Sequence, residues 1–169
     1  TGVQTCALPI SAALFFMVGC IYERTHTRKL AEYGGLRKIM PVYAGILGVS
    51  MFSSLGLPGL NGFVGEFMVF KGAFPVVPWA ALVSLIGLVV TGVFLLLMMQ
   101  KVCFGPLNEK WKSLPDMTGR EIFIVAVLMV FMFGIGVYPG PLLDASNHAV
   151  VNLVKLFERT PEIMLTLVR

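Results

Sequence analysis

The sequence predicts an all-α, polytopic transmembrane bundle of about four spans, one of them a discontinuous helix, with an amphipathic helix at the C-terminal end. Apolar residues make up 57% of the 169 residues and charged residues only 13%, whereas soluble globular domains have roughly 45–50% and about 25%. A soluble fold of this length could not bury so much apolar surface. An intrinsically disordered chain is excluded because it would carry more charge. A disulfide-rich secreted fold is excluded because the three cysteines, Cys6, Cys20 and Cys103, are scattered and form no framework.

Four apolar stretches account for the predicted spans. A helix needs about 20 mostly apolar residues to cross a bilayer core of roughly 30 Å. The stretches are residues 7–22, 41–74, 79–100 and 122–138. The third is the clearest because it extends over 22 residues without a formal charge, and the first is short.

The segments between the spans predict the orientation. Residues 23–40 contain five basic and two acidic side chains, and residues 101–120 contain four basic and two acidic ones, whereas residues 75–78 carry no charge. Four crossings put both basic loops on one side of the membrane, and the positive-inside rule makes that side cytoplasmic. Both ends of the chain are then expected to face outward.

The chain changes character after Tyr138. Pro139, Gly140 and Pro141 end the helical pattern, and residues 142–158 mix apolar side chains with charged and polar ones. This mixture is typical of an amphipathic helix lying on the membrane surface. Residues 139–169 are therefore predicted to form an outward-facing surface helix and tail.

The second span is unusual because its centre cannot remain helical. Gly56, Pro58, Gly59 and Gly62 fall within seven residues, and they remove both backbone rigidity and a backbone donor. In lipid such a break survives only where protein or a water-filled cavity surrounds the freed peptide groups, and transporters use broken helices at ion sites. The alternatives are a proline-kinked helix or two segments joined by a re-entrant turn.

One carboxylate follows this break within the apolar stretch. Glu66 has no basic residue within a helical turn, since Lys71 is five residues further on. An ionisable group at this depth is costly and is a candidate functional residue, here a proton carrier. The alternative is a protonated carboxyl group that hydrogen-bonds to a neighbouring helix. Lys71 is expected to extend to the membrane interface.

The rest of the sequence predicts no bond-making chemistry. His26 and His148 fall in polar surroundings and are expected at the surface. The sequence contains no metal-ligand spacing, no phosphate-binding glycine loop and no nucleophile–base pair. Its basic residues are explained by the membrane orientation and form no nucleic-acid footprint.

Three short runs resemble one protein family. They are Tyr-Glu-Arg-Thr-His-Thr-Arg at 22–28, Gly-Gly-Leu at 34–36, and the stretch at 54–67 that holds the helix break and Glu66. Together they resemble the C-terminal part of the proton-translocating membrane subunits of respiratory complex I (NADH-quinone oxidoreductase), those of the subunit M type above all. That family is related to the Mrp-type cation/proton antiporter subunits. The resemblance covers about residues 11–151.

The resemblance implies a fold and a role for Glu66. The family is all-helical, with two inverted-topology bundles that each contain one discontinuous helix, and this chain resembles its last four spans. Glu66 corresponds to the family's glutamate on the half-helix after the break, in a row of titratable groups along the membrane midplane. Related subunits have lysine there, so Glu66 favours the subunit M type.

Two features depart from the family pattern. The family has a His-Gly pair where this sequence has Ala7, and residues 1–25 contain no histidine. Residues 1–10 do not resemble the family and are predicted to be a foreign leader, a translated sequencing adaptor joined to a truncated gene. The antiporter-like domain would then begin at residue 11 and extend to residue 138. Finding the same ten codons in the source locus would contradict this prediction.

The resemblance also implies a function within a larger assembly. The chain is expected to contribute to a midplane proton path as a non-redox subunit of a translocating enzyme, and to be inactive alone. NADH, FMN, iron–sulfur clusters and quinone are expected in other subunits, with no cofactor or metal on this chain. The expected partners are neighbouring antiporter-like subunits and the lipid of a bacterial inner membrane. Binding to nucleic acid is not expected. The alternatives are a Mrp-type or hydrogenase-linked antiporter subunit, or a structural membrane subunit without an ion role.

Overall fold

The computed structural model describes residues 2–147 and 150–152, and its long elements are all helical. Its longest α-helices are α1 (Gly2–Thr25), α2 (Pro41–Ser54), α3 (Asn61–Ala73), α4 (Pro78–Cys103) and α5 (Gly119–Val137). Short 3-10 turns occupy Leu30–Glu32, Leu36–Lys38 and Glu109–Trp111.

Three of these helices are long and apolar enough to cross a membrane: α1 from Cys6, α4 and α5. The helices α2 and α3 contain 14 and 13 residues, which at 1.5 Å per residue makes each about 20 Å long. Neither is long enough alone for a hydrocarbon core of about 30 Å, so together they correspond to the one discontinuous span that the sequence predicts. The predicted all-α bundle with one discontinuous span is confirmed.

The helix α1 is longer than the predicted span at residues 7–22. Glu23 and Arg24 are good helix formers and continue the helix past the apolar run, where the Arg24 guanidinium donates a hydrogen bond to the Cys20 carbonyl one turn earlier. At its other end the helix includes residues 2–10. The foreign origin of residues 1–10 stays a prediction.

The helices differ in how deeply they are embedded. Helices α1, α3 and α5 pack against one another, and α1 also packs along α2. The main core holds Met17, Met40, Tyr43 and Met51. Helix α4 lies at the edge of this group, since only Ala81, Leu95, Val102 and Cys103 of its 26 residues are buried. Its remaining apolar side chains are suited to contact with lipid or other helices.

The two basic loops lie together at one end of the bundle. The Tyr33 ring stacks on the Trp111 indole with their centroids 6.2 Å apart, and the Trp111 indole N–H donates to the Glu32 carbonyl at 2.8 Å. The Gly35 amide donates to the Phe104 carbonyl at 3.1 Å. These contacts agree with the prediction that both loops lie on the same side of the membrane.

Two acidic side chains, Asp116 of the second loop and Glu121 in the first turn of α5, hold the helix ends at this side. The Arg24 guanidinium donates to both Glu121 carboxylate oxygens, at 2.8 and 2.7 Å. The Asp116 carboxylate accepts from the backbone amides of Val42 and Tyr43 at 3.0 and 3.2 Å. These amides belong to the first turn of α2, which has no cap of its own, so Asp116 caps α2 from a distant part of the chain.

The predicted surface helix lies only partly within the described residues. Residues 140–147 and 150–152 are helical. The other positions of the predicted range 142–158, with His148 among them, lie outside the described residues. His26 is exposed, as predicted, and follows the end of α1 with a positive φ of 52°.

Candidate functional site at the helix break

The break begins where glycine ends α2. Gly56 has a φ of 70°, in the left-handed region that favours glycine. Its amide donates to the Ser53 carbonyl at 3.2 Å, and the next amide, of Leu57, donates to the Phe52 carbonyl at 3.1 Å. This pair of bonds is the Schellman arrangement that closes helix C-termini. The carbonyls of the last turn are thus satisfied inside an apolar environment.

A second turn leads the chain into α3. The Leu60 amide donates to the Leu57 carbonyl at 3.1 Å, with Pro58 and Gly59 between them. Gly59 has a φ of 95°, and proline followed by such a glycine is the residue pattern of a type II turn. The Pro-Gly pair therefore places a separate turn between the two half-helices rather than merely kinking one helix.

Glycine also allows other segments to approach the break closely. Gly62, predicted as a break residue, lies in the first turn of α3 and touches the Ser53 carbonyl, which a Cβ atom would displace. Gly136 of α5 lies directly on the backbone of Gly59 and Leu60. The end of the break, from Leu60 to Gly62, is thus packed against α2 and α5, whereas residues 57–59 are exposed.

The Glu66 carboxylate lies back against this break. A Cβ atom on Gly56 would collide with the Glu66 side chain, whose carboxyl carbon is 2.9 Å from that position. Helical side chains lean toward the N-terminus of their helix, so a glutamate in the second turn of α3 reaches back to the break. The side chain is half-buried, and none of the ion pairs among the described residues includes it.

A cavity of about 180 Å³ adjoins this carboxylate, with room for several water molecules. It lies between α1, the end of α2 and the start of α3. Its polar wall is formed by Ser11, Ser53, Ser54 and Glu66, and Ala7 lies on its α1 side. A carboxylate beside a cavity of this size can exchange a proton with water that enters it, which a carboxylate sealed in lipid cannot do.

Two buried polar residues that sequence reasoning missed join the segments around the cavity. The Ser53 hydroxyl donates to the Asn61 side-chain oxygen at 2.7 Å, and the Asn61 amide group donates to the Cys6 carbonyl on α1. Both side chains are fully buried. The available signal was an asparagine inside an apolar stretch, at the first residue after a Pro-Gly turn.

The structure brings some of the predicted residues together and not others. Gly56, Pro58 and Gly59 form the break, and Glu66 lies against it. Lys71 is in the last turn of α3 with an exposed side chain, and its extension to a membrane interface stays a prediction. Within the described part of the chain, no cluster of three metal-binding side chains is present.

The sequence also matches known proteins. Residues 7–94 match the family model described as NADH:quinone oxidoreductase/Mrp antiporter, transmembrane. The chain belongs to this NADH:quinone oxidoreductase/Mrp antiporter family. The resemblance that the motifs indicated is therefore confirmed, and the matched residues include the whole helix break and Glu66.

Relatives in this family are proteins named NADH-quinone oxidoreductase subunit M. The chain is 43% identical over 147 residues to the one from Rhodobacter capsulatus, covering 86% of this chain and 29% of that protein. It is 39% identical over 158 residues to the one from Escherichia coli K12, covering 92% of this chain and 31% of that protein. The chain thus spans about three-tenths of the length of these relatives.

The fold is similar to part of a solved family structure. Respiratory complex I from Thermus thermophilus with bound NADH contains a chain that matches with a TM-score of 0.69 and 29% identity. The match covers 75% of this chain and 27% of that chain. Family, fold and apolar helices together identify an integral membrane protein.

Proposed function

We propose that this chain is part of a subunit M-type membrane subunit of a proton-pumping NADH:quinone oxidoreductase. In this proposal Glu66 takes up and releases a proton beside the helix break, as one member of a path along the membrane midplane. Electron transfer in other subunits drives the movement of that proton. The family membership and the relatives named subunit M support the assignment.

The observation that carries the proposal is the position of the Glu66 carboxylate between Gly56 and the cavity. The peptide dipoles of the two half-helices end at this point, so their partial charges act on the cavity. The Ser11 and Ser54 side chains and the carboxylate can order water there. A proton can therefore reach the carboxylate from the α1 side and leave it again without crossing lipid.

The remaining parts of the proposal concern partners and location. We assign the cofactors to other subunits: NADH, FMN, iron–sulfur clusters and quinone. For the clusters the reason is that a cluster held by cysteines needs four of them, and this chain has three. Other membrane subunits, notably antiporter-like neighbours, are the proposed partners. The two basic loops are assigned to the cytoplasmic side of a bacterial inner membrane by the positive-inside rule.

The proposal is tested by Glu66→Gln in the full-length subunit within its complex. Protons translocated per NADH oxidised are measured in membrane vesicles, with Glu23→Gln, an exposed carboxylate, as the control. We expect translocation to fall at least fivefold in the Glu66 variant and to stay normal in the control. Normal translocation in both variants would contradict the proton-carrying role.

The two alternatives give different results in the same experiment. A structural subunit would show less assembled complex in Glu66→Gln but an unchanged ratio of protons to NADH. An antiporter subunit of the Mrp type would move cations against protons in vesicles without added NADH. Only the proposed function predicts a lower ratio in a complex that is present in normal amounts.

A further inference from the structure

The fully buried pair of Ser53 and Asn61 connects the two half-helices across the break. We propose that Asn61 is a positioning residue of this site: its side-chain amide fastens the start of α3 to the end of α2, and thereby sets where the Glu66 carboxylate lies. The inference rests on the proposed function and deepens it, because a carboxylate that carries protons must stay within reach of the cavity that supplies them.

The chemistry of the two hydrogen bonds fixes the orientation of the Asn61 amide. The Cys6 carbonyl can only accept, so the Asn61 nitrogen must face α1. The Asn61 oxygen then faces α2 and accepts from the Ser53 hydroxyl at 2.7 Å. One side chain thus ties together three backbone segments, and neither leucine nor alanine at this position could replace it.

The segment between the half-helices cannot supply this restraint by itself. Leu57, Pro58 and Gly59 are exposed, and their turn is closed by a single backbone hydrogen bond between Leu57 and Leu60. Asn61 and Ser53, by contrast, are fully buried, where water does not compete for their hydrogen bonds. The buried hydrogen bond between Ser53 and Asn61 therefore holds the two half-helices together.

Asn61 transmits this restraint to Glu66 along one helix. It is the first residue of α3, and Glu66 lies little more than one turn later on the same rigid segment. The close contact of Gly62 with the Ser53 carbonyl sets the spacing of the two segments at the same level. If the Ser53–Asn61 pair is lost, α3 can separate from α2 and the Glu66 carboxylate can leave Gly56.

The experiment measures access to Glu66 directly. A hydrophobic carbodiimide, which modifies carboxyl groups within membranes, is reacted with the full-length subunit in its complex, and modification of Glu66 is followed by peptide mass spectrometry. Asn61→Ala and Ser53→Ala are compared with Ser50→Ala. Ser50 is an equally buried serine on α2 whose hydroxyl bonds only to its own helix, at the Ile46 carbonyl.

We expect the rate of Glu66 modification to rise at least threefold in Asn61→Ala and Ser53→Ala and to stay unchanged in Ser50→Ala. The double variant should match Asn61→Ala, because both substitutions remove the same bond. An unchanged or lower rate in Asn61→Ala, or equal effects in all three single variants, would overturn the inference.

This outcome is separable from the fate of the proposed function. The modification rate reports the position of the carboxyl group whether or not that group carries protons. Normal pumping in Glu66→Gln would remove the proposed function and leave this result standing. Reduced pumping in Asn61→Ala with an unchanged modification rate would overturn the positioning role and leave the proposed function standing.

Discussion

The Glu66 carboxylate lies against Gly56, on the other side of the helix break, in space that a Cβ atom on Gly56 would fill. Gly56 therefore does two things: it ends α2 in the left-handed conformation, with a φ of 70°, and it leaves room for the carboxylate. The identity of this one residue links the shape of the break to the position of its ionisable group.

Replacing Gly56 with alanine should affect both properties. Left-handed backbone costs a non-glycine residue about 1–2 kcal/mol, and the new methyl group must displace Glu66. We expect Gly56→Ala to lower both thermal stability and proton translocation. Gly105→Ala is the control, because Gly105 has a φ of 92° but open space around it. Equal loss of translocation in both variants would show that backbone strain alone is responsible.

The contact of α5 with the break gives a second prediction. A Cβ atom on Gly136 would overlap the backbone of Gly59 and Leu60, whereas one on Gly134 would meet nothing. We expect Gly136→Ala to lower the free energy of unfolding by about 1–3 kcal/mol through overpacking. Gly134→Ala should be neutral or stabilising by about 0.5–1 kcal/mol, since alanine favours helix. Thermal unfolding in detergent measures both effects, and a larger loss of stability in Gly134→Ala than in Gly136→Ala would contradict the close contact of α5 with the break.

The Arg24–Glu121 ion pair should matter far more than an exposed one. Its side chains are 11% and 16% exposed, compared with 60% and 85% for Lys112 and Glu109. Glu121→Gln removes the charge but keeps an acceptor for the Thr118 amide, so the helix cap survives. We expect a loss of about 2 kcal/mol, compared with about 0.5 kcal/mol or less for Glu109→Gln. Similar midpoints of thermal unfolding for the two variants would argue against this difference.

The cap that Asp116 provides for α2 can be tested at single amides. Asp116→Ala leaves the Val42 and Tyr43 amides without their acceptor and should cost about 1 kcal/mol. Hydrogen exchange at these two amides should accelerate, while the Ile122 amide, bonded to the Thr118 carbonyl, should exchange at its original rate. Equal acceleration at all three would indicate general unfolding instead of a lost cap.

The sequence predicted the larger features of this fold because they depend on local chemistry. The lengths of the apolar stretches predicted the spans. Gly56, Pro58 and Gly59 predicted a helix break, and both glycines have the positive φ angles that such a break uses. Glu66 was identifiable because a carboxylate in an apolar stretch is costly wherever the chain folds.

Other features depend on contacts between distant segments, and local patterns do not contain them. The cap on α2 comes from Asp116, far along the chain. The role of Asn61 requires Ser53 and α1 to meet it in space. The close approach of Gly136 to Gly59 likewise follows from helix packing, which periodicity alone does not determine.

In the proposed function the Glu66 carboxyl group gains and loses a proton during turnover. Infrared difference spectroscopy of the complex, recorded on addition of NADH, detects such changes as carboxyl bands. We predict that one carboxyl band disappears in Glu66→Gln and persists in Glu23→Gln. Carboxyl bands that are identical in the original protein and in Glu66→Gln would contradict a proton-carrying role of Glu66.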